Sequence, residues 1–304
     1  MGFFGEMLTL QMQLFILILL GILAKKIHLI DDHGRRTLTA LLINIILPCN
    51  IVHSFLSDAS VTDGFLKNCV LAFLICAVIQ AVAIYGSRLL FRRFSPGRKS
   101  VLSYGMICSN SSFIGLPVAE ALYGDLGVMY TSVFQIPIRF TIWTAGLSLF
   151  TEVNRKDALK KLSTHPCIVA IFVGLLLMLL PIKLPRVCIN TISSLARCCI
   201  PIAMLVIGSI LADADIQSLF SGPVLYYVFL RLIAFHLLVY AVLSLLPLDK
   251  LLVSISVLMT GMPAGSTTSI LPDQYGGDSL FASQLVFAST LFSVITLPIL
   301  CLIL

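Results

Sequence analysis

Apolar runs of about 20 residues, the length that crosses a bilayer as one helix, follow one another along almost the whole chain, each cut off by a short polar cluster. Ten segments qualify once internal breaks are allowed: 7–24, 36–56, 66–91, 101–122, 127–150, 165–181, 188–211, 220–246, 251–271 and 279–303. They predict an all-α integral membrane protein of ten transmembrane helices, called spans 1 to 10 here. Glu6 and no basic residue precede the first run, and no small-residue cleavage site stands before Lys25 and Lys26, so it reads as a retained span.

Two spans carry a polar interruption where the bilayer centre is expected. Span 4 reads Cys108-Ser109-Asn110-Ser111-Ser112-Phe113-Ile114-Gly115-Leu116-Pro117, and span 9 reads Thr260-Gly261-Met262-Pro263-Ala264-Gly265-Ser266-Thr267-Thr268-Ser269. Proline removes a backbone donor and clashes with the preceding turn. Gly115, Pro117, Gly261 and Pro263 are therefore the expected helix-break residues. Unwound backbone is tolerated at membrane depth only where it lines protein or a water-filled cavity. Small residues also serve close helix packing, but a matched pair of proline-bearing interruptions points to a binding site. Asn110, Ser111, Ser112, Gly265, Ser266 and Thr267 are its candidate binding residues.

The two halves resemble each other. Span 2 carries Leu47-Pro48-Cys49 and span 7 Ile200-Pro201-Ile202, while span 4 ends in Tyr123-Gly124-Asp125 and span 9 in Tyr275-Gly276-Gly277-Asp278. Five spans per half is an odd number, so a second copy must be inverted, a plan common among secondary transporters. The expected division is a first repeat over 1–150, a cytoplasmic linker over 151–164 and an inverted repeat over 165–304.

Composition agrees: 59% of the 304 residues are hydrophobic and 11% charged, with a mean hydropathy of +1.04. Soluble domains carry about a quarter charged residues, so lipid is the expected solvent. The net charge of +6 does not imply nucleic acid, because the basic residues cluster beside the spans. The loops after spans 1, 3 and 5, together with the span ends beside them, hold 13 of the 20 lysines and arginines, Lys25 and Arg93 among them. The positive-inside rule makes those loops cytoplasmic and both termini external, and the expected location is the plasma membrane. The nine cysteines lie mostly in apolar runs and none shows zinc-ligand spacing with a histidine, so no metal site is expected.

The acidic residues all fall in loops or near span ends, Glu120 and Asp213 included, whereas Arg139, Arg197 and Arg231 lie well inside spans. An intramembrane charge is a functional candidate by default, and arginines without acidic partners favour an anionic solute. Arg139 and Arg197 are taken as candidate substrate residues. The alternative for all three is snorkelling or binding to helix-end carbonyls, the role favoured for Arg231. Asn44, Asn50, Gln135, His53 and His236 read as packing residues. Paired intraspan aspartates, a His-Glu-x-x-His motif and a nucleophile elbow are all missing, so no catalytic residue and no enzyme is expected.

The interruptions also carry a likeness to a known family. Asn110-x4-Gly115-x-Pro117 followed by Leu122-Tyr123-Gly124 resembles the fourth span of the auxin efflux carrier family, which includes plant PIN-type carriers and bacterial malate and malonate permeases. Met262-Pro263 through Tyr275-Gly276, then Ala288-Ser289-Thr290-Leu291-Phe292-Ser293 and Thr296-Leu297-Pro298, resembles its last two spans, and Pro48 and Pro201-x6-Gly208 fit as well. The resemblance implies a five-plus-five inverted repeat in which spans 4 and 9 cross at their breaks, with a small organic anion, a carboxylate, bound at the crossing and moved by alternating access. Asn110 and Pro263 match family positions there, while Ser109 stands where some members have proline. No cofactor is implied; coupling to a proton or a sodium gradient and a homodimer both stay open. The rival readings are a sodium-coupled symporter of a related crossed-helix fold and a membrane sensor.

Overall fold

A computed structural model describes residues 2–56, 64–151, 160, 163–180, 184–212, 221–265, 267–275 and 277–303. Most of the expected linker over 151–164, and Ser266, lie outside the described residues. Among those described, the chain is helical and no strand forms beyond one isolated bridge, Ser109 to Ala264.

The helices are α1 (Gly2–Lys26), α2 (Asp32–Leu56), α3 (Phe65–Leu90), α4 (Pro96–Ile107), α5 (Leu116–Thr141), α6 (Pro166–Leu179), α7 (Arg186–Ala196), α8 (Cys199–Leu211), α9 (Gly222–Leu243), α10 (Lys250–Thr260), α11 (Thr267–Tyr275) and α12 (Ser279–Ile303). Their starts follow local chemistry. Proline occupies the first turn of α4, α6 and α9, where its missing N–H costs nothing. Asp249 caps α10 through the Leu252 amide at 3.1 Å, and Asp278 caps α12 through that of Phe281 at 3.1 Å. Gly124 kinks α5 with φ 60° and ψ −149°, a conformation open to glycine, so the expected end of span 4 is a turn.

Among the described residues, five helical stretches are long and apolar enough to cross a membrane: Asp32–Leu56, Phe65–Leu90, Arg186–Ile210, Gly222–Leu243 and Ser279–Leu302. Their outer faces are apolar, with Val78 63% and Leu89 70% exposed on α3. A soluble protein seldom leaves so much contiguous apolar surface uncovered, whereas hydrocarbon solvates it.

Two compact units arise, each taking segments from both halves of the chain. The first comprises Met1–Phe65, Ser112–Val133 and Ser163–Ala214, the second Leu66–Ser111, Phe134–Leu162 and Asp215–Leu304. In the first, α1 packs along α8 and α2 packs on α6 and α7. Gly21 and Gly208 bring α1 and α8 together, since a Cβ on either would collide with the other helix's backbone at Leu205 or Ile18. In the second, α12 packs against α4, α9 and α10, and α11 against α12 and α4.

Proline acts differently from place to place. Pro48 and Pro117 each follow a π-helical turn by two residues, Leu42–Ile46 and Ser111–Gly115 respectively. In both cases the carbonyl four residues back lies within that wider turn, which makes room for the ring and the missing donor. The helix therefore runs on through both prolines. Pro201 sits in the first turn of α8, after a short turn at Arg197 and Cys198.

Candidate functional site

The stretches Cys108 to Ser111 and Thr260 to Gly265 both belong to the second unit, and they meet. The Asn110 amide donates to the Pro263 carbonyl at 2.8 Å, and the Gly265 amide donates to the Cys108 carbonyl at 2.8 Å. These bonds make the antiparallel bridge between Ser109 and Ala264. Backbone that leaves a helix must find partners elsewhere when buried, and here each break supplies the other's. Gly265 permits the approach: a Cβ there would lie 2.7 Å from Cys108 Sγ and 3.2 Å from the Ser109 carbonyl.

The helix-break expectation needs a correction in span 4. The helix opens at Cys108 to Asn110, whereas Gly115 closes the π-helical turn Ser111–Gly115 and Pro117 lies inside the helix that follows. The π-helical turn absorbs the proline, so the opening moves upstream to the point where the other break's amides and carbonyls are available. In span 9 the opening runs from the end of α10 at Thr260 to the start of α11 at Thr267, with Gly261 and Pro263 in it.

Each opening has a C-terminal helix end on one side and an N-terminal one on the other. The C-terminal ends of α4 and α10 leave carbonyls unpaired, and one side chain serves both. Arg231, 3% exposed in a π-helical turn of α9, donates from Nε to the Met262 carbonyl at 2.9 Å and from a terminal nitrogen to the Met106 carbonyl at 3.0 Å. Two helix C-termini carry about −0.5 charge each, so a single guanidinium balances the pair. Its ring neighbour is Phe235, at 5.9 Å. The helix-end role favoured for Arg231 from the sequence is the one found.

The N-terminal ends begin at Ser111 and Thr267. Thr267 Oγ1 takes a hydrogen bond from the Tyr104 hydroxyl at 3.1 Å and shares one with Cys108 Sγ at 3.0 Å. Arg139 reaches Ser111 through an intermediary. Its guanidinium donates to Gln135 Oε1 at 3.2 Å, and Gln135 Nε2 donates to the Ser111 carbonyl at 3.2 Å. The arginine can only donate, so the orientation of the Gln135 amide is fixed chemically. Ala264's amide is held by Ser289 Oγ at 3.2 Å. Ser109, Asn110 and Ser111 are buried, and the hydroxyls of Ser109 and Thr268 have no hydrogen-bond partner among the described residues.

The structure thus brings together Asn110, Ser111, Gly265, Thr267, Gly261 and Pro263, with Arg139 one residue removed. Ser112, Gly115, Pro117 and Arg197 belong to the first unit. Arg197 is exposed and bonded to Ser193 Oγ at 3.2 Å. Sequence reasoning did not single out Tyr104 or Cys108, and it took Arg231 as a helix-end residue and not as part of the site. Arg231 carried a signal, being an arginine in mid-span, but its partners are main-chain carbonyls and leave no mark in composition.

A second polar cluster occupies the first unit. Asn50, 1% exposed in α2, donates to Glu120 Oε2 at 2.8 Å, and His53 Nδ1 lies 3.7 Å from Asp125 Oδ1. Glu120 keeps its expected place near the end of span 4, four residues before the Gly124 turn. The helix continues past Glu120 to the Gly124 turn, and the carboxylate folds onto a buried amide. Among the described residues no group of three or more His, Cys, Asp or Glu could hold a metal ion.

Comparison with known proteins gives a consistent picture. The profile of a family described as "Membrane transport protein" matches residues 7–161 and 153–301. An uncharacterized transporter of Methanocaldococcus jannaschii is 21% identical over 292 residues, covering 93% of this chain and 94% of its own. One of Methanothermobacter thermautotrophicus is 24% identical over 300 residues, with 93% and 94% covered. A Rhizobium meliloti protein named "Putative malonate transporter" is 22% identical over 308 residues, with 96% and 94% covered.

Proposed function

The chain belongs to the membrane transport protein family, and from that premise we propose that it is a secondary transporter for a small organic anion, a mono- or dicarboxylate, bound where the two helix openings meet. The observation that carries the reading is the mutual pairing of the openings, with the helix N-termini at Ser111 and Thr267 beginning beside it. Helix N-termini present amides and partial positive charge to an anion. The buried hydroxyls of Ser109 and Thr268 add unused hydrogen-bonding capacity, and Arg139 adds positive charge through Gln135.

In this reading Asn110, Ser111, Ser112, Gly265, Ser266 and Thr267 contact the solute. The ten helical segments form an inverted five-plus-five repeat whose interrupted members cross, and alternating access carries the site between the two faces of the plasma membrane, both termini lying outside. The name of the Rhizobium meliloti relative supports malonate as the first solute to try.

The test is uptake of labelled malonate and malate into proteoliposomes, with pH and sodium gradients imposed separately. Saturable uptake by the wild type and a loss of about tenfold in Asn110→Ala, roughly the 1.4 kcal/mol of one neutral hydrogen bond, are expected with the folded yield unchanged. Wild-type transport left untouched by Asn110→Ala would remove the site from the openings. Transport of neither acid by folded protein would remove the carboxylate class.

A further inference from the structure

We infer that Glu120 is the proton-carrying group of this protein, held in the first unit by Asn50; the inference rests on the transporter reading and adds to it the coupling ion and its site. Glu120 lies nine residues beyond Ser111 on the helical run that starts at the span-4 opening. Its Oε2 is 2.8 Å from Asn50 Nδ2. Asn50 is buried at mid-helix, so the bond ties two spans together below the surface.

Asn50 from α2 bonds the carboxylate, and among the described residues Cys199 from the start of α8 and Asp125 from beyond the Gly124 turn lie within electrostatic reach of it. Around these lie His53 of α2, paired with Asp125, and Cys167 and Cys198, which neighbour Cys199. Among the described residues no lysine or arginine pairs with Glu120. A partly buried carboxylate with no cationic partner among the described residues is costly as an anion, and a bound proton removes the cost.

The partner suits a proton in particular. Asparagine offers both an N–H and a carbonyl oxygen. It donates to Glu120 when the carboxylate is ionised. With the carboxamide turned over, it accepts the O–H of the carboxylic acid, so both states keep one hydrogen bond. The step is a plain protonation: a proton from water joins a Glu120 oxygen, the side chain goes from charge −1 to neutral, and no other bond changes. Asp125 and His53, 35% and 32% exposed and 3.7 Å apart, form a partly exposed polar pair in the same unit.

The experiment uses the full chain in proteoliposomes with labelled malonate, comparing wild type with Glu120→Gln, and empty liposomes as the blank. Two rates are read: accumulation driven by a pH gradient, and exchange of malonate at equal pH on both sides. Infrared difference spectra between acidic and alkaline pH are recorded for both proteins to follow the carbonyl band of a buried protonated carboxyl. Glu120→Gln is expected to keep exchange near the wild-type rate, to lose gradient-driven accumulation at least about tenfold, and to lose one titrating carboxyl band.

Loss of exchange together with accumulation in folded Glu120→Gln would make Glu120 a structural or solute-contacting residue and overturn the inference. Accumulation retained by the variant, or a wild type that exchanges malonate but ignores the pH gradient, would overturn it too and leave the transporter reading standing. Should the wild type move no malonate at all, the spectra decide alone: identical difference spectra for the two proteins would overturn the assignment, and a band missing only in Glu120→Gln would sustain it.

Discussion

The two compact units use the same residue types to opposite ends. In the first, proline and glycine keep helices whole and close: Pro48 runs inside α2 behind a π-helical turn, and Gly21 and Gly208 bring α1 and α8 into backbone contact. In the second, Pro263 and Gly265 lie where a helix opens, and the freed backbone pairs with a second opening. The difference comes from what replaces the lost helical bonds. A π-helical turn reabsorbs one missing donor locally, whereas a full opening needs partners from another segment. The second unit has those partners, together with a buried arginine for the carbonyls they leave over.

Arg231 is therefore the largest single difference between the units, and its removal should have the largest effect. Arg231→Gln takes away charge-assisted hydrogen bonds to the Met262 and Met106 carbonyls, worth together about 3–6 kcal/mol, and leaves two helix C-termini facing each other uncompensated. A steep fall in melting temperature and folded yield in detergent is expected. Arg231→Lys keeps the charge but not the planar fork that reaches both carbonyls, and should fall between the two. A variant Arg231→Gln that melts with the wild type would show that the openings are held without it.

The glycines separate packing from site geometry. Gly208→Ala drives a methyl group into the Ile18 carbonyl across the helix contact, an overpacking that costs about 1–3 kcal/mol. Its main effect should appear in melting, with transport per folded molecule preserved. Gly265→Ala sets a methyl group 2.7 Å from Cys108 Sγ and 3.2 Å from the Ser109 carbonyl, which forces the paired openings apart. Transport should drop about tenfold, equivalent to ~1.4 kcal/mol, with a smaller shift in melting. The comparison between the units fails if the two variants lose transport and stability in the same proportion.

What could be read in the sequence follows the range of the interactions. Helix type and membrane character come from local apolar runs, and the span-9 opening from a Gly-x-Pro-x-Gly cluster within five residues. Asn110 stood out because polar residues at that depth are rare. The span-4 opening was placed too near Gly115 and Pro117, since proline alone does not say whether a π-helical turn will accommodate it. Arg231 was visible, yet its carbonyl partners lie 31 and 125 residues away along the chain. Glu120 was not singled out because its partner, Asn50, is 70 residues distant. Such pairings are made by packing and carry no local pattern.

The smallest effects should come from the prolines, and they test the comparison most finely. Alanine at 263 restores an amide that can reach the Met259 carbonyl and lengthen α10 into the opening. Proline is about 3 kcal/mol less favourable than alanine within a helix, so that is the most the exchange can add to the closed form. The bonds from Asn110 to the Pro263 carbonyl and from Arg231 to that of Met262 oppose closure. Those bonds, about 1 and 1.5–3 kcal/mol, offset nearly all of that gain, so a net bias of at most about 0.5 kcal/mol remains and initial rates of malonate uptake should fall no more than about twofold. Pro48→Ala restores a donor beneath a π-helical turn in a helix that is already continuous, so its uptake should match the wild type. If Pro48→Ala slows uptake as much as Pro263→Ala, proline acts alike in both units, and the openings owe their existence to their partners alone.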